Sequence, residues 1–173
     1  MKNRGLFSKF KNIKLVISDV DGVLTDNSIY IDDNGIESKK FSIADGVGTY
    51  LARKFGLKIA LISARKSKAT EIRARQLKIK YVFLGREDKF KVYEMIKKNL
   101  KLKDSQITYI GDDLVDVPVL KKAGIAICVK DGSPSVKRYA DYITKAKGGE
   151  GALREVVELV LKGKRKNLVE LFK

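Results

Sequence analysis

Ile13-Lys14-Leu15-Val16-Ile17-Ser18-Asp19-Val20-Asp21-Gly22-Val23-Leu24-Thr25 is an apolar run that ends in two carboxylates one residue apart. The run reads as a buried strand, so Asp19 and Asp21 fall where the strand stops and the backbone turns. In open α/β sheets ligands bind at that carboxyl edge. A buried strand end is a costly place for acidic groups unless a cation compensates. The stretch therefore suggests a Mg2+ site with one carboxylate free to act as a nucleophile. Taken alone, Asp-x-Asp-Gly is better read as a turn whose Asp caps the next helix. The remainder of the chain decides between the two.

Working outward, short apolar runs alternate with helical patterns. Strands are expected at 57–62, 81–84, 107–110 and 125–129, and helices at 66–76, 89–100, 114–123 and 150–161. Such alternation implies an α/β fold, a doubly wound and mostly parallel sheet of Rossmann-like type with helices on both faces. One segment breaks the pattern. Residues 28–31 and 36–41 flank Asp32-Asp33-Asn34-Gly35, and Asn-Gly between strand-like runs signals a β-hairpin. The hairpin, about 28–41, begins just after the acidic motif. It reads as a flap over the site or a surface for subunit contact, and it is too short for a cap domain. No repeat or linker divides the 173 residues, so a single domain over 1–173 is expected, with its core at about 13–161 and a tail at about 162–173.

Composition narrows the chemistry. The chain has no histidine, which excludes Ser-His-Asp triads and His-ligated zinc. Acid–base work must come from Asp, Glu, Lys, Tyr or water. The single cysteine, Cys128, allows no intrachain disulfide and fits a reducing compartment. Lys plus Arg number 37 against 21 Asp plus Glu, a net charge of +16. That charge permits a nucleic-acid partner or steering of an anionic substrate. The basic residues lack the aromatic interleaving of RNA readers and read first as a solvated surface, so no nucleic-acid partner is expected. No apolar run approaches a membrane span and no signal-peptide core follows the basic start, so a cytoplasmic location with no membrane partner is expected.

Three further features fall at later strand ends. Ser63, with Ala64 and Arg65 after it, follows one apolar run; a hydroxyl beside helix-terminal N–H groups can cradle phosphate. Lys89 opens a helix, where a cation opposes the helix dipole unless it has an anionic partner. Gly111-Asp112-Asp113-Leu114-Val115-Asp116 places three more carboxylates after another run. Each alone is an ordinary cap or surface group. Together, along one sheet edge, they form an inventory for Mg2+-assisted phosphoryl transfer.

In this ordered set the chain resembles the haloacid-dehalogenase-type phosphatases, over about 13–161. Their pattern is D-x-D after the first strand, Ser or Thr after the second, a Lys, and then an acidic G-D-D group. Within that family it is similar to the small phosphatases acting on 3-deoxy-D-manno-octulosonate 8-phosphate. The tells are D-V-D-G-V-L-T-D, the short hairpin, Asp45-Gly46-Val47-Gly48, and Gly148-Gly149-Glu150-Gly151-Ala152-Leu153-Arg154-Glu155. The resemblance implies that Asp19 attacks phosphorus and that Asp21 acts as acid and then base. It implies Mg2+ held by the Asp19 carboxylate, the Asp21 backbone carbonyl and Asp112, with Asp113 and Asp116 ordering the metal shell and Lys89. Ser63 and Lys89 would bind the phosphoryl group, and Arg65, Asp45 and Gly46 the rest of a sugar-acid phosphate, in lipopolysaccharide precursor synthesis. A homotetramer is implied, with hairpins and C-terminal tails helping to build neighbouring sites. Ala64 stands where the family usually has Gly; it is tolerated if its φ is not positive. Rival readings are a phosphatase for another acidic sugar phosphate such as a nonulosonate 9-phosphate, a phospho-aspartate receiver, and a basic nucleic-acid-binding domain.

Overall fold

A computed structural model describes residues 2–172, and side chains from Gly5 to Glu170; Met1 and Lys173 lie outside it. In chain order the elements are α1 (Lys2–Phe10), β1 (Leu15–Ser18), the hairpin strands β2 (Tyr30–Ile31) and β3 (Glu37–Ser38), α2 (Ile43–Lys54), β4 (Lys58–Ile62), α3 (Lys68–Gln76), β5 (Tyr81–Phe83) and α4 (Lys89–Asn99). They continue with β6 (Ile107–Gly111), α5 (Val117–Leu120), β7 (Ile125–Cys128), α6 (Pro134–Lys137), β8 (Tyr142–Ile143) and α7 (Ala152–Gly163).

Six strands form one sheet in the order β5-β4-β1-β6-β7-β8, and every neighbouring pair in it is parallel. The chain leaves β1 toward β4 and β5, and leaves β6 toward β7 and β8. Between β1 and β6 the connections therefore diverge, which opens a crevice at their carboxyl ends. Ser18 pairs with Ile110, and the Asp19 N–H donates to the Ile110 carbonyl at 2.9 Å, so Asp19 and Asp112 emerge side by side.

Strand side chains alternate between two cores. Val16, Leu61, Ile110 and Ile127 pack against Leu51 of α2 and Leu153, Val156 and Val160 of α7. Leu15, Ile17, Ile62 and Tyr109 pack against Val92, Tyr93 and Ile96 of α4 and Leu120 of α5. The helices thus cover both faces, as the alternation predicts, with the antiparallel β2–β3 hairpin standing apart as a second small sheet. Its turn follows the Asn-Gly signal: Gly35 has φ +74°, and the Asp32 carboxylate accepts the N–H groups of Asn34 and Ile36 at 3.0 and 2.8 Å.

Several elements depart from the pattern. The helix expected over 114–123 is a 3-10 turn, Leu114–Asp116, followed by α5. Pro118 has no N–H to give the Leu114 carbonyl, so an α-helix cannot run unbroken from Leu114. α1, α2, α6 and β8 carry no prior expectation. α2 contains Gly46 and Gly48, which weaken its helical signal. It forms because Ser42 caps it and Gly48 lets it close on α7, where a Cβ would lie 2.7 Å from the Arg154 Cα. Among the described residues no helix is long and apolar enough to cross a membrane.

Candidate active site

Asp19, Asp112 and Asp116 come together in the β1/β6 crevice. All three are buried, and each offers a carboxylate oxygen within 4.8 Å of the others'. Lys89, at the start of α4, reaches across with a buried ammonium 2.7 Å from Asp19 Oδ2 and 2.7 Å from Asp116 Oδ1. That supplies the anionic partners that its place at a helix N-terminus requires. Asp116 is fully engaged. Its Oδ1 also accepts the Tyr109 hydroxyl at 2.6 Å, and its Oδ2 accepts the N–H groups of Asp112 and Asp113 at 3.0 and 3.3 Å. Asp113 is exposed at the rim, with its carboxylate turned onto the Leu114 N–H at 2.7 Å.

Asp19 and Asp112 are undercompensated. Burial, then repulsion from Asp116, pushes Asp19 up to about 7 despite Lys89. Burial, then the Asp19 and Asp116 charges, pushes Asp112 up to about 8. Burial alone would lower the Lys89 ammonium, but the two carboxylates beside it raise it. Three carboxylates facing one lysine leave a deficit of positive charge among hard oxygen donors. This donor set fits Mg2+.

The backbone around these groups tolerates little bulk. Gly22 has φ +83°, and a Cβ there would lie 2.1 Å from Asp112 Oδ2. The Gly148–Gly151 segment passes close to this loop: a Cβ on Gly148 would meet the Gly22 carbonyl at 2.0 Å. The Gly149 N–H donates to the Val23 carbonyl at 3.0 Å, so this segment props the Asp19–Thr25 loop from behind.

Ser63 is buried after β4, with its Oγ accepting the Arg65 N–H at 3.2 Å. Ala64 is not among the residues with positive φ, so the side chain in place of Gly causes no strain there. Asp19, Asp21, Ser63, Arg65, Lys89, Asp112 and Asp113 line one cavity of about 150 Å3. The hairpin reaches that cavity through two residues that sequence reasoning missed. The Lys39 side chain is fully buried and pairs with Asp21 Oδ1. Glu37 accepts Arg65 Nη2 at 2.7 Å and the Ser67 hydroxyl at 2.8 Å. Arg65 is thus engaged by the hairpin in this chain. Both residues follow a period of two along 37–40, too short to stand out in the sequence, which turns Glu37 and Lys39 to one side and leaves Lys40 exposed.

Asp45 and Gly46 are not among the groups lining that cavity. Asp45 Oδ1 accepts the Arg154 N–H at 2.9 Å at the start of α7, and its Oδ2 has no partner among the described residues. Burial pushes this carboxyl up to about 6. Gly46 faces Arg73 of α3 and Leu77 just after it. The tail turns at Arg165, where φ is +56°, and packs Leu168 onto the core beside α7. Lys164 donates to the Lys11 carbonyl just before β1, so the tail lies at the sheet edge opposite the cavity. The apolar tail residues Leu171 and Phe172 have side chains outside the described residues.

The chain is similar to known proteins along most of its length. Residues 60–155 match the model of haloacid dehalogenase-like hydrolases. The 3-deoxy-D-manno-octulosonate 8-phosphate phosphatase of Escherichia coli K12 is 39% identical over 156 residues, which cover 90% of this chain and 83% of that protein. The corresponding phosphatase structure from Yersinia pestis is 38% identical with a TM-score of 0.91, over 92% of this chain and 86% of that one. The structure of the Moraxella catarrhalis phosphatase, in complex with magnesium, phosphate and KDO, is 36% identical with a TM-score of 0.94, over 98% and 97%.

Proposed function

The chain belongs to the haloacid dehalogenase-like hydrolases, and we propose that it is the Mg2+-dependent phosphatase that hydrolyses 3-deoxy-D-manno-octulosonate 8-phosphate to the free sugar acid and phosphate. The observation that carries this reading is the Asp19–Lys89–Asp116 bridge beside Asp112 in the β1/β6 crevice, in a chain whose relatives carry that activity in their names. The reaction belongs to the supply of a lipopolysaccharide precursor.

Asp19 is the nucleophile. Its carboxylate is held by the Val20 N–H at 2.6 Å and by Lys89 at 2.7 Å, so it is aimed before substrate arrives. An Asp19 oxygen forms the bond to phosphorus as the sugar oxygen leaves. Asp21 gives that oxygen a proton, then takes one from the water that cleaves the aspartyl phosphate. Ser63 and Lys89 hold phosphoryl oxygens, and Asp116 fixes Lys89 and the Asp112–Asp113 backbone. Asp19 and Asp112, with the Asp21 backbone carbonyl, would hold Mg2+, and Asp113 would order its surroundings. When bound, Mg2+ supplies the positive charge that keeps both carboxylates ionised and neutralises the phosphoryl group.

A cavity of about 150 Å3 is smaller than the ~300 Å3 or more usual for small-molecule sites. It houses the phosphoryl end, and the sugar acid extends past it. Ile31, Ile36 and Ile43 expose 64%, 61% and 85% of their surface near the hairpin. They support assembly as a homotetramer in which a neighbouring copy closes the site over the sugar, in the cytoplasm, where Cys128 stays reduced. Arg65, Asp45 and Gly46 contribute to the sugar-acid end within that assembly.

The test is a panel of phosphorylated sugars and sugar acids, nonulosonate 9-phosphates included, assayed with Mg2+ and with excess chelator. The octulosonate ester should show the highest kcat/KM, chelator should abolish turnover, and Asp19→Asn should release no phosphate in steady state. A preference for another ester, or turnover in chelator, overturns the assignment.

A further inference from the structure

The Asp21 carboxylate is unevenly held. Oδ1 pairs with the Lys39 ammonium, whose side chain is fully buried. Oδ2 is buried and has no hydrogen-bond partner among the described residues. Lys39 is itself tied down: its Nζ lies 3.5 Å from Glu37 Oε1, and Glu37 is anchored to Arg65 and Ser67 beyond β4. An unbroken chain of polar contacts therefore runs from the loop after β1, through the hairpin, to the loop after β4. A largely buried ion pair of this kind contributes little net stability against an apolar replacement, but it fixes geometry.

We propose that Lys39 is a positioning residue for Asp21: by occupying Oδ1 it leaves Oδ2 as the atom that carries the proton to the leaving sugar oxygen. This inference rests on the phosphatase reading above. In the first half-reaction the bond from Asp19 to phosphorus forms, the bond from phosphorus to the sugar oxygen breaks, and the proton on Asp21 Oδ2 passes to that oxygen. The ammonium transfers nothing. It compensates the charge that Asp21 holds after giving its proton and stops the carboxylate from rotating away. The hairpin, anchored by Glu37, sets where that ammonium stands, so it acts as part of the acid–base apparatus as well as a cover.

General acid help matters for a poor leaving group and hardly at all for a good one. The experiment measures kcat/KM, which ends at phosphoryl transfer to Asp19, for octulosonate 8-phosphate, phenyl phosphate and p-nitrophenyl phosphate. The proteins are the wild type, Lys39→Met and Lys39→Arg. Lys39→Met should lose about 10- to 100-fold on the first two esters, within the ~10²–10⁴ that general acid catalysis supplies. On p-nitrophenyl phosphate it should stay within about threefold. Lys39→Arg, which returns a cation, should move the ratio back toward wild type. Ratios between esters measured on one preparation are independent of the folded fraction, so partial misfolding does not mask the result. Equal losses on all three esters, or no loss, would overturn the proposal. A loss confined to the sugar ester would also overturn it, because it would make Lys39 a sugar-binding group. A wild-type protein inactive on all three would instead remove the phosphatase reading beneath it.

Discussion

Gly22→Ala tests the architecture of the crevice more directly than removing a carboxylate does, because it leaves every charged group in place. The new Cβ would sit 2.1 Å from Asp112 Oδ2 and 2.5 Å from its Cγ, at a residue whose φ is +83°. The left-handed backbone alone costs roughly 1–2 kcal/mol for a residue with a Cβ. The overlap is relieved only if the Asp112 carboxylate or the Gly22 loop yields by about 1 Å, and a displacement of that size costs ~10²-fold in rate when it disturbs reacting geometry. The Gly148–Gly149 segment behind the loop is packed against its backbone, so the loop cannot retreat freely and Asp112 has to move. Gly56→Ala provides the control: its φ is +70°, yet nothing lies within 4 Å of the added Cβ. Thermal unfolding and kcat/KM at saturating Mg2+ should therefore separate. Gly56→Ala should lose about 1 kcal/mol of stability and keep its activity. Gly22→Ala should lose similar or greater stability together with ~10²-fold in kcat/KM. A Gly22→Ala enzyme within threefold of wild type would refute the claim that the carbon-free approach to Asp112 is needed for catalysis.

Three other outcomes follow from the structure. Mg2+ should raise the melting temperature of the chelator-treated protein, because Asp19 and Asp112 lack positive compensation; a melting temperature indifferent to Mg2+ would count against the site. Asp45 is held up at about 6 by burial, above its unfolded value, so its contribution is fully present below pH 4 and is lost as pH rises to about 6. Asp45→Asn should therefore match wild type in urea unfolding free energy near pH 4 and exceed it by about 2 kcal/mol near pH 7, and equal values at both would contradict this. Deleting residues 163–173 should raise KM for the sugar-acid phosphate more than it harms p-nitrophenyl phosphate hydrolysis. The tail lies away from its own chain's cavity, so that split, if seen, would place it on a neighbouring copy's site.

The strand ends were readable because a parallel sheet points every strand the same way. Once Val16-Ile17, Ala60-Leu61 and Tyr109-Ile110 read as strands, Asp19, Ser63 and Asp112 had to share an edge. Asp116 was readable as an acidic neighbour, but its division of labour was not. Its contacts with Lys89, Tyr109 and two backbone N–H groups depend on the 3-10 turn that Asp113 caps and Pro118 enforces. α2 escaped notice for a related reason, since Gly46 and Gly48 weaken helical propensity while serving close packing on α7.

Lys39 and Glu37 show where sequence reading ends. In a hairpin rich in charge, a lysine reads as a solvated residue, and the two-residue strands are too short for alternation to stand out. Only the register Tyr30–Ser38 and Ile31–Glu37 turns Glu37 and Lys39 inward together, onto Ser67 and Asp21. A slip of one residue would exchange them for Ser38 and Lys40. Hydroxyl and ammonium would then stand where carboxylate and ammonium now do, and Arg65 would lose its anion. Asp21, the proposed acid–base carboxylate, thus has its ion pair set by a register that Asp32 and Gly35 fix at the far end of the hairpin, a dependence that no motif around Asp21 encodes.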